Sequence, residues 1–581
     1  AVQASGADDH YASPQCLYLF GGSTWANDAA GNPALGHFEY FTDNYRYNPL
    51  KQEWTAIAPL PAVEETRAID VSGYVYDSEA RVWQRPSGGD TSTSADIQIL
   101  FAEQPRPSSA APVIEIGPSH ILLFGGSTGR YVTLDVQDRP PFPRDVLAYH
   151  TITDTWTRAG EMPEAVVTTS AVRWGGTIVL PSGETRPGVR TNRVQAMQVR
   201  PERNSFGGLN MTVLVVYLAA LVVIGTYFSR KGKSTEDFFL AGRRIPWWAA
   251  GISIYATQLS AITFVSLPAV AYATNWLVYP AQLTILFIAP IVIIFYLPFF
   301  RRLHITTAYE YLERRFSLPV RLFGSLSFIV FQLGRMAVVV YLPALALAEV
   351  TGLSVTFSIL IMGALATLYT VLGGMEAVIW TDVLQVFVLA GGLGVALVLI
   401  VVELGGLGPV LEVVRADGKL TLLNLNLSTE QMATWLVLAG SFMLNFGPYT
   451  TDQAVIQRYL TTKDERAAGK SILLNGLISI PASISFFSLG AALYAFFKAH
   501  PDLLWIGMQN DRIFPLYVAE HMPAGLAGLV IAGIFAASMS SLDSSMHSIA
   551  TALTTDFYQR FRPATSDTHR YHVARFLTLL I

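Results

Sequence analysis

Cysteine is almost absent from this sequence of 581 residues, in which Cys16 is the only one. A single thiol excludes an internal disulfide framework and a Cys-rich metal site. The sequence also lacks a large excess of either sign of charge, because 39 Lys and Arg residues against 43 Asp and Glu residues leave a net charge of -4. So small an excess does not favour a nucleic-acid partner.

The first two hundred or so residues lack any long apolar run. From about Asn210 to Ile581, apolar stretches of about eighteen residues or more follow closely, and this length crosses a bilayer as a helix. We therefore expect a multi-domain protein, with an aqueous domain over 1–205 and an all-α transmembrane domain over 206–581. About nine spans are predicted, and another begins near 573; they are 211–228, 247–273, 276–298, 320–348, 354–372, 377–402, 431–457, 470–497 and 523–556.

Lys and Arg residues concentrate in alternate loops of this helical part. One side holds Arg230, Lys231, Lys233, Arg243, Arg244, Arg301, Arg302, Arg314, Arg315, Arg321, Arg458, Lys463, Arg466, Lys470, Arg560, Arg562 and Arg570. The opposite loops offer mainly Arg415, Lys419 and Arg512. The positive-inside rule makes the first side cytoplasmic, so the N-terminal domain is expected outside, in the periplasm of a bacterium.

The second span carries an amide and several hydroxyls between Ala256 and Thr263, and Pro268 follows. Such side chains can join neighbouring helices, since Ser and Thr hydrogen-bond to backbone or to adjacent side chains. Alternatively, an unwound segment exposes carbonyl and hydroxyl oxygens to a monovalent cation and a polar solute. The motif alone leaves both interpretations open.

Arg335 lies fourteen residues past Arg321, about 21 Å into the membrane at about 1.5 Å per residue. A guanidinium at that depth requires an anion or a water-filled cavity. A structural pairing with Gln332 or Glu349 is one explanation, and an anionic substrate is the other.

Three further polar features interrupt the spans. Asp382 follows a diglycine, where it either terminates a helix or serves a site. The segment 537–545 is dense in serine and includes Asp543, beyond what helix association requires. Gly447-Pro448, followed by Thr450, Thr451 and Asp452, marks a second broken helix five spans after the first, as inverted-repeat transporters place them.

From about 209 onward, these motifs resemble the sodium:solute symporter family, and most closely its bacterial sodium/sialic acid symporters. The resemblance implies an inverted-repeat (LeuT-like) fold and Na⁺ as the coupling ion, with no other cofactor. It assigns Ala256, Leu259, Ala537, Ser540 and Ser541 to the main sodium site, Asp382, Asp543 and Ser544 to a possible second sodium site, and Ser260, Thr263, Gln258, Gln282 and Arg335 to the sugar acid. Gln258, Val278 and Asp543 depart from that subgroup, which leaves the number of coupled ions open.

The N-terminal part contains a repeat. Leu17–Gly22 is echoed by Ile121–Gly126, and each copy is followed by the same spaced residues, Asp43, Tyr47, Trp54 and Pro61 against Asp145, Tyr149, Trp156 and Pro163. The two Tyr positions are separated by two periods of about fifty residues, the length of a kelch blade. Tyr76 and Trp83 copy the spacing off period, and 86–95 is expected to be an inserted surface loop. We therefore expect a partial, all-β kelch propeller over 1–205.

A loop over 175–191 carries Glu184 and Arg190. From charge alone, a surface ion pair is the favoured explanation. The domain also resembles the kelch-type sialic acid mutarotases in circularly permuted form, and this resemblance implies that Glu184 and Arg190 are catalytic. They would move the anomeric proton and hold the carboxylate.

Together the two resemblances imply sodium symport of sialic acid across the inner membrane, with a fused domain that interconverts the sugar's anomers. Lipid is the expected surrounding, and nucleic acid is not an expected partner. A symporter of another sugar acid, amino acid or monocarboxylate with a non-catalytic propeller is the alternative, and a transporter-like sensor is a third class. We expect the sequence to be a window from a longer polypeptide, in which the second repeat lacks most of its last two helices.

Overall fold

The computed structural model describes side chains in residues 110–127, 135–199, 206–229, 234–303, 305–427 and 432–581, apart from those of 346, 347 and 349–351. In the first 109 residues it describes the backbone of six strands. The predicted surface loop at 86–95 and the side chain of Glu349 lie outside these residues. The chain divides into two compact units, 1–202 with 494–510, and 203–493 with 511–581.

The first unit consists of antiparallel strands. They are β1 (Val2–Ala4), β2 (Cys16–Ala26), β3 (His37–Asn48), β4 (Glu53–Ile57), β5 (Val75–Asp77), β6 (Val82–Gln84), β7 (Val113–Ile116), β8 (His120–Phe124), β9 (Asp145–His150), β10 (Thr155–Glu161), β11 (Val172–Trp174), β12 (Thr177–Arg186) and β13 (Val189–Met197). They form two four-stranded sheets ordered β1-β2-β3-β4 and β10-β9-β8-β7, a three-stranded sheet β11-β12-β13 and a hairpin β5-β6.

The two copies of the sequence repeat fold in the same way. Tyr47 is the register partner of Trp54 in the first four-stranded sheet, and Tyr149 is the partner of Trp156 in the second. The Tyr149 and Trp156 rings lie 4.9 Å apart. The third copy of the Tyr–Trp spacing, which lies outside the fifty-residue period, pairs in the same way: residues 76 and 83 are register partners in β5 and β6. A Tyr–Trp spacing of seven thus marks an antiparallel hairpin at all three places.

Chain packing explains the first of the two glycines at the end of the repeat motif in the second sheet. A Cβ added at Gly125 would lie 2.6 Å from the carbonyl oxygen of Pro143, and the residue has a φ of 59°. Only glycine combines that backbone conformation with so close an approach. The core of this part of the unit consists of Ile116, Leu122, Phe124, Val146, Ala148, Met162, Val166, Ile178 and Leu180.

The second unit is helical. Its α-helices are α1 (Gly208–Phe228), α2 (Thr235–Leu240), α3 (Trp247–Gln258), α4 (Ala261–Ala273), α5 (Ile285–Ile291), α6 (Leu297–Leu303), α7 (Glu310–Arg315), α8 (Leu318–Thr351), α9 (Val355–Glu403), α10 (Leu407–Ala416), α11 (Thr434–Thr451), α12 (Gln453–Leu460), α13 (Glu465–Ala499), α14 (Ile513–His521), α15 (Leu526–Ala552), α16 (Gln559–Phe561) and α17 (Asp567–Leu580). A 3₁₀ segment, Trp276–Thr284, precedes α5, and π-helical turns at Val292–Tyr296 and Leu553–Tyr558 follow α5 and α15.

In the described part of the chain, six helices are long and apolar enough to cross a membrane, or seven if the bent pair α3 and α4 counts as one. This is fewer than the nine spans predicted. Two predicted spans, 354–372 and 377–402, lie in α9, which contains a non-helical residue at Gly374 with φ 58° and ψ -153°. The predicted span 431–457 is divided into α11 and α12, and neither is apolar enough over sufficient length.

Both predicted helix breaks are present. The α3 and α4 axes bend by 67° at Leu259 and Ser260. The α11 and α12 helices meet at Asp452, whose backbone is extended and whose side chain accepts a hydrogen bond from the Ala454 amide at 2.8 Å. Breaks such as these free backbone groups from the helical hydrogen-bond pattern.

Candidate functional site

The break between α3 and α4 exposes polar groups inside the helical unit. Leu259 has a ψ of 100°, which interrupts the helix immediately after Gln258. Ser260 then caps α4, accepting a hydrogen bond from the Thr263 amide at 3.2 Å, and the two hydroxyl oxygens lie 3.1 Å apart. The structure therefore places the Ser260 and Thr263 hydroxyls together at the break.

Arg335 of α8 reaches this break. Its Nη2 donates to the carbonyl oxygen of Thr257 at 2.9 Å, and its Nη1 lies 3.7 Å from Oδ2 of Asp452. The side chain is 21 % exposed, so part of the guanidinium remains accessible. This geometry leaves donors of Arg335 for a further anion, because a guanidinium has five N–H groups.

The structural pairing that the sequence offered for Arg335 differs from the observed one. Gln332 donates its Nε2 to Asp452, at 3.2 and 3.3 Å from the two carboxylate oxygens. The Gln332 Oε1 accepts a hydrogen bond from Ser545 at 3.0 Å. Asp452 is therefore the partner of both α8 side chains, although the sequence indicated it only as part of a broken helix.

The serines of α15 face the same break. The Thr257 and Ser544 hydroxyl oxygens lie 3.5 Å apart, and Ser540 donates to Oδ1 of Asp382 at 2.5 Å. Asp382 lies in the middle of α9, so it does not terminate a helix there. Ser541 has a buried hydroxyl for which the described residues provide no hydrogen-bond partner. A buried, unsatisfied oxygen is costly, and an oxygen-ligated cation would satisfy it.

The remaining residues predicted for sodium lie in these same segments. Ala256 and Leu259 are buried at the end of α3, and Ala537 is buried one turn before Ser541. Asp543 accepts hydrogen bonds from the Tyr369 hydroxyl at 2.6 Å and from Ser544 at 3.1 Å. Hydrogen bonds thus join Asp382, Ser540, Asp543 and Ser544 in one polar cluster. The described side-chain hydrogen bonds do not link Ala256, Leu259, Ala537 or Ser541 to it.

Arg458 is the residue of this cluster that the sequence did not identify. It was assigned to a cytoplasmic loop, but its side chain in α12 is fully buried. It donates to the Ser253 hydroxyl at 2.8 Å, to the Ala454 carbonyl at 2.7 Å and to Oδ2 of Asp382 at 3.2 Å. The hydropathy pattern ended the span just before Arg458, because it could not show how deeply α12 enters the bundle.

Two of the predicted solute residues are less closely connected. Gln258 follows Thr257 at the end of α3, and its buried Nε2 has no hydrogen-bond partner among the described residues. Gln282 lies half-buried in the segment Trp276–Thr284, and the described contacts do not link it to Arg335. A bound solute would be needed to bring Gln282 into the same site.

In the first unit, Glu184 and Arg190 face each other. They lie on β12 and β13 rather than on a loop, and they are register partners next to a β-bulge. The Arg190 Nε is 3.7 Å from Oε1 of Glu184, with side-chain exposures of 79 % and 22 %. Glu184 is also fixed by two backbone hydrogen bonds of 2.9 Å to Val167. The pair is an accessible carboxylate and guanidinium on a rigid hairpin.

Comparison with known proteins identifies the helical unit. Residues 238–581 match the model of the sodium:solute symporter family. The chain is 41 % identical over 383 residues to a sodium/sialic acid symporter of Aliivibrio fischeri, which covers 65 % of this chain and 75 % of that protein. It is 38 % identical over 380 residues to a sodium/sialic acid symporter of Proteus mirabilis, covering 65 % and 77 %.

A solved structure supports the same fold. It is described as the substrate-bound, outward-open state of a Na⁺-coupled sialic acid symporter, with a TM-score of 0.63 and 38 % identity. The match covers 65 % of this chain and 80 % of that one. The predicted helical transmembrane bundle and the predicted resemblance are both confirmed for this part of the chain. The protein belongs to the sodium:solute symporter family.

Proposed function

We propose that this protein is a sodium-coupled symporter of sialic acid in a bacterial inner membrane. The observation that carries the proposal is the position of Arg335, whose accessible guanidinium lies at the α3–α4 break. A sugar acid offers one carboxylate and several hydroxyls, which suit a guanidinium and hydroxyl partners. In this proposal Arg335, Ser260 and Thr263 hold the carboxylate, while Gln258 and Gln282 contact the rest of the solute.

Sodium in this proposal binds beside the solute. Carbonyl oxygens of Ala256, Leu259 and Ala537, with the hydroxyls of Ser540 and Ser541, form the main site, and Asp382, Asp543 and Ser544 form a second one. The uncharged oxygen ligands of the main site suit a monovalent cation that must also be released. The unsatisfied Ser541 hydroxyl supports the main site.

Uptake of labelled sialic acid by the full-length protein in proteoliposomes, with and without a sodium gradient, tests this function. We expect Arg335→Ala and Thr263→Val to abolish uptake without preventing membrane insertion. Gly334→Ala is the matched control, because a Cβ at Gly334 meets no atom within 4 Å and the residue precedes Arg335 on the same helix. Normal uptake by both variants would reject the proposed solute site.

Another solute is the alternative, and the wider set of relatives gives it support. The chain is also 33 % identical over 365 residues to the human sodium/iodide cotransporter and 31 % identical over 367 residues to a human sodium-coupled monocarboxylate transporter. Competition of labelled sialic acid uptake by iodide, monocarboxylates and other sugar acids distinguishes the alternatives. Inhibition by one of these at lower concentration than by unlabelled sialic acid would favour that solute.

For the first unit, we propose a kelch-type propeller on the periplasmic side that interconverts sialic acid anomers. The equivalent pairing of three Tyr–Trp hairpins supports the blade assignment, and the uneven distribution of loop charge supports the orientation. Glu184 would take the proton of the anomeric hydroxyl and pass it to the ring oxygen as the bond between that oxygen and the anomeric carbon breaks, which opens the ring; the reverse transfer on the other face would close it as the other anomer. Arg190 would bind the carboxylate.

Proton NMR of anomer exchange with the full-length protein tests this second activity. We expect Glu184→Gln to slow exchange, because the amide cannot accept the proton. Glu161→Gln is the control, since Glu161 pairs with Arg158 on the surface of the same unit. An unchanged rate in Glu184→Gln would remove the catalytic role and leave the surface ion pair as its explanation.

A further inference from the structure

Three carboxylates and two guanidiniums lie within the polar cluster of the helical unit. Asp452 lies beside Arg335, while Asp382 and Asp543 lie on the side of Arg458, with Ser544 between Asp543 and Arg458. When all five side chains are ionised, the cluster carries one net negative charge. Such an excess in a low-dielectric interior attracts cations and opposes the entry of a further anion.

Asp452 is the carboxylate that acts on the solute side of this cluster. Its Oδ2 is 3.7 Å from Nη1 of Arg335, its side chain is 12 % exposed, and it is fixed by hydrogen bonds from Gln332 and from the amide of Ala454. Arg335 is therefore already neutralised before any solute arrives. A solute carboxylate that joins this pair brings a further negative charge, because Arg335 is already paired with Asp452 and Arg458 with Asp382.

A hydrogen-bonded path connects Asp452 to the sodium side. Gln332 donates to both oxygens of Asp452, and its own Oε1 accepts from Ser545, the residue after Ser544 on α15. The carboxylate and the serine cluster are thus parts of one network rather than separate sites. A positive charge among the serines would therefore attract the carboxylate of Asp452 and offset its charge.

We propose that Asp452 is the residue that makes solute binding depend on sodium. Its negative charge cancels Arg335 in the empty site, so an anionic solute binds only after sodium ions have supplied the compensating positive charge. The same charge strengthens sodium binding before the solute arrives. This inference rests on the proposed function for the anionic nature of the solute, but its effect on sodium alone does not.

The substitution Asp452→Asn tests the role of the charge with little change of shape. Asparagine is as good an N-cap as aspartate, so α12 keeps its start, and its amide oxygen still accepts from Gln332. Thr451→Ser is the matched control, because Thr451 precedes the break and hydrogen-bonds back to the Gly447 carbonyl at 3.0 Å. Thermal stability of each purified variant shows whether the fold is retained.

Binding of ²²Na⁺ to the full-length protein without solute is the first measurement. We expect Asp452→Asn to weaken sodium binding at least tenfold, because the substitution removes one carboxylate charge from the cluster, and Thr451→Ser to leave it unchanged. An unchanged sodium affinity in Asp452→Asn would overturn the proposal whatever the solute is.

Binding of labelled sialic acid, with sodium present or replaced by potassium, is the second measurement. We expect the ratio of the two dissociation constants to fall at least tenfold in Asp452→Asn, through tighter binding without sodium. A ratio equal to that of the unsubstituted protein, or loss of binding under both conditions in a folded variant, contradicts the proposal. Failure of the unsubstituted protein to bind sialic acid with sodium rejects the proposed solute, while the sodium measurement still decides the role of Asp452.

Discussion

The buried carboxylate of Asp556 gives a prediction whose size follows from its contacts. It accepts hydrogen bonds from Arg321 Nε at 2.9 Å and Nη2 at 2.6 Å, from Thr307 at 2.6 Å and from Ser325 at 2.8 Å. Its side chain is completely buried, and that of Arg321 is 8 % exposed. The pair joins the start of α8 to the π-helical turn after α15.

Replacing Asp556 with Asn leaves the guanidinium of Arg321 buried with only part of its compensation. Breaking a buried ion pair costs about 3–5 kcal/mol. Arg321 retains Glu313, whose Oε2 lies 2.8 Å from its Nη1, so we expect the lower end of that range. A loss of about 3 kcal/mol corresponds to a fall of roughly 5–10 °C in the midpoint of unfolding for a large domain.

Thermal unfolding of the purified protein in one detergent, followed by intrinsic fluorescence, measures this effect. The control is Glu412→Gln, which changes an exposed carboxylate on α10 and should shift the midpoint by less than about 1 °C. A midpoint for Asp556→Asn within about 2 °C of that of the unsubstituted protein would show that the Arg321–Asp556 pair contributes little to stability. It would refute the expectation that breaking a buried ion pair is costly.

Two other expectations concern the sodium site and the first unit. Ser541→Ala should weaken the sodium dependence of uptake about tenfold. Ser548→Ala, about two turns away on α15, should not, because its buried hydroxyl already donates to the Ser544 and Ser545 carbonyls; equal effects of the two would count against the main sodium site. Burial lowers the pKa of His120 from its ordinary value of 6.5 to about 4. Because the unfolded chain then binds more protons below pH 6.5, stability should fall by about 3 kcal/mol between pH 6.5 and 4. Amide exchange of β8 in the full-length protein measures this loss, and a slope that persists in His120→Gln assigns it to another group.

Local patterns predicted the positions of the elements that carry the site. The polar segment before Thr263 and the Gly447-Pro448 pair indicated the two broken helices, because hydroxyls and helix breakers act on their own backbone. Depth along a helix indicated Arg335, since distance from a charged end is a matter of counting residues. The seven-residue spacing of Tyr149 and Trp156 indicated a repeat, and the structure shows the two residues as register partners across an antiparallel hairpin.

The partners of these groups were beyond the reach of local patterns. Arg458 looked like a loop charge one residue past a span, yet it donates to Ser253, 205 positions away in sequence. Asp452 was part of a break, and only the approach of α8 showed that it pairs with Arg335. Likewise, hydropathy separated two spans that the backbone joins in α9 with a break at Gly374.

The sequence by itself determined where the polar part of the chain gives way to the apolar helical part, where two helices break, and which oxygens and guanidiniums those segments carry. The tertiary structure alone decided which charges face each other, and therefore that Arg335 is neutralised by Asp452 and that Asp382 contacts Arg458. The physical reason is that periodicity and hydropathy report on neighbours within a few turns. The charge balance of a buried site instead depends on the packing of helices that lie far apart in the sequence.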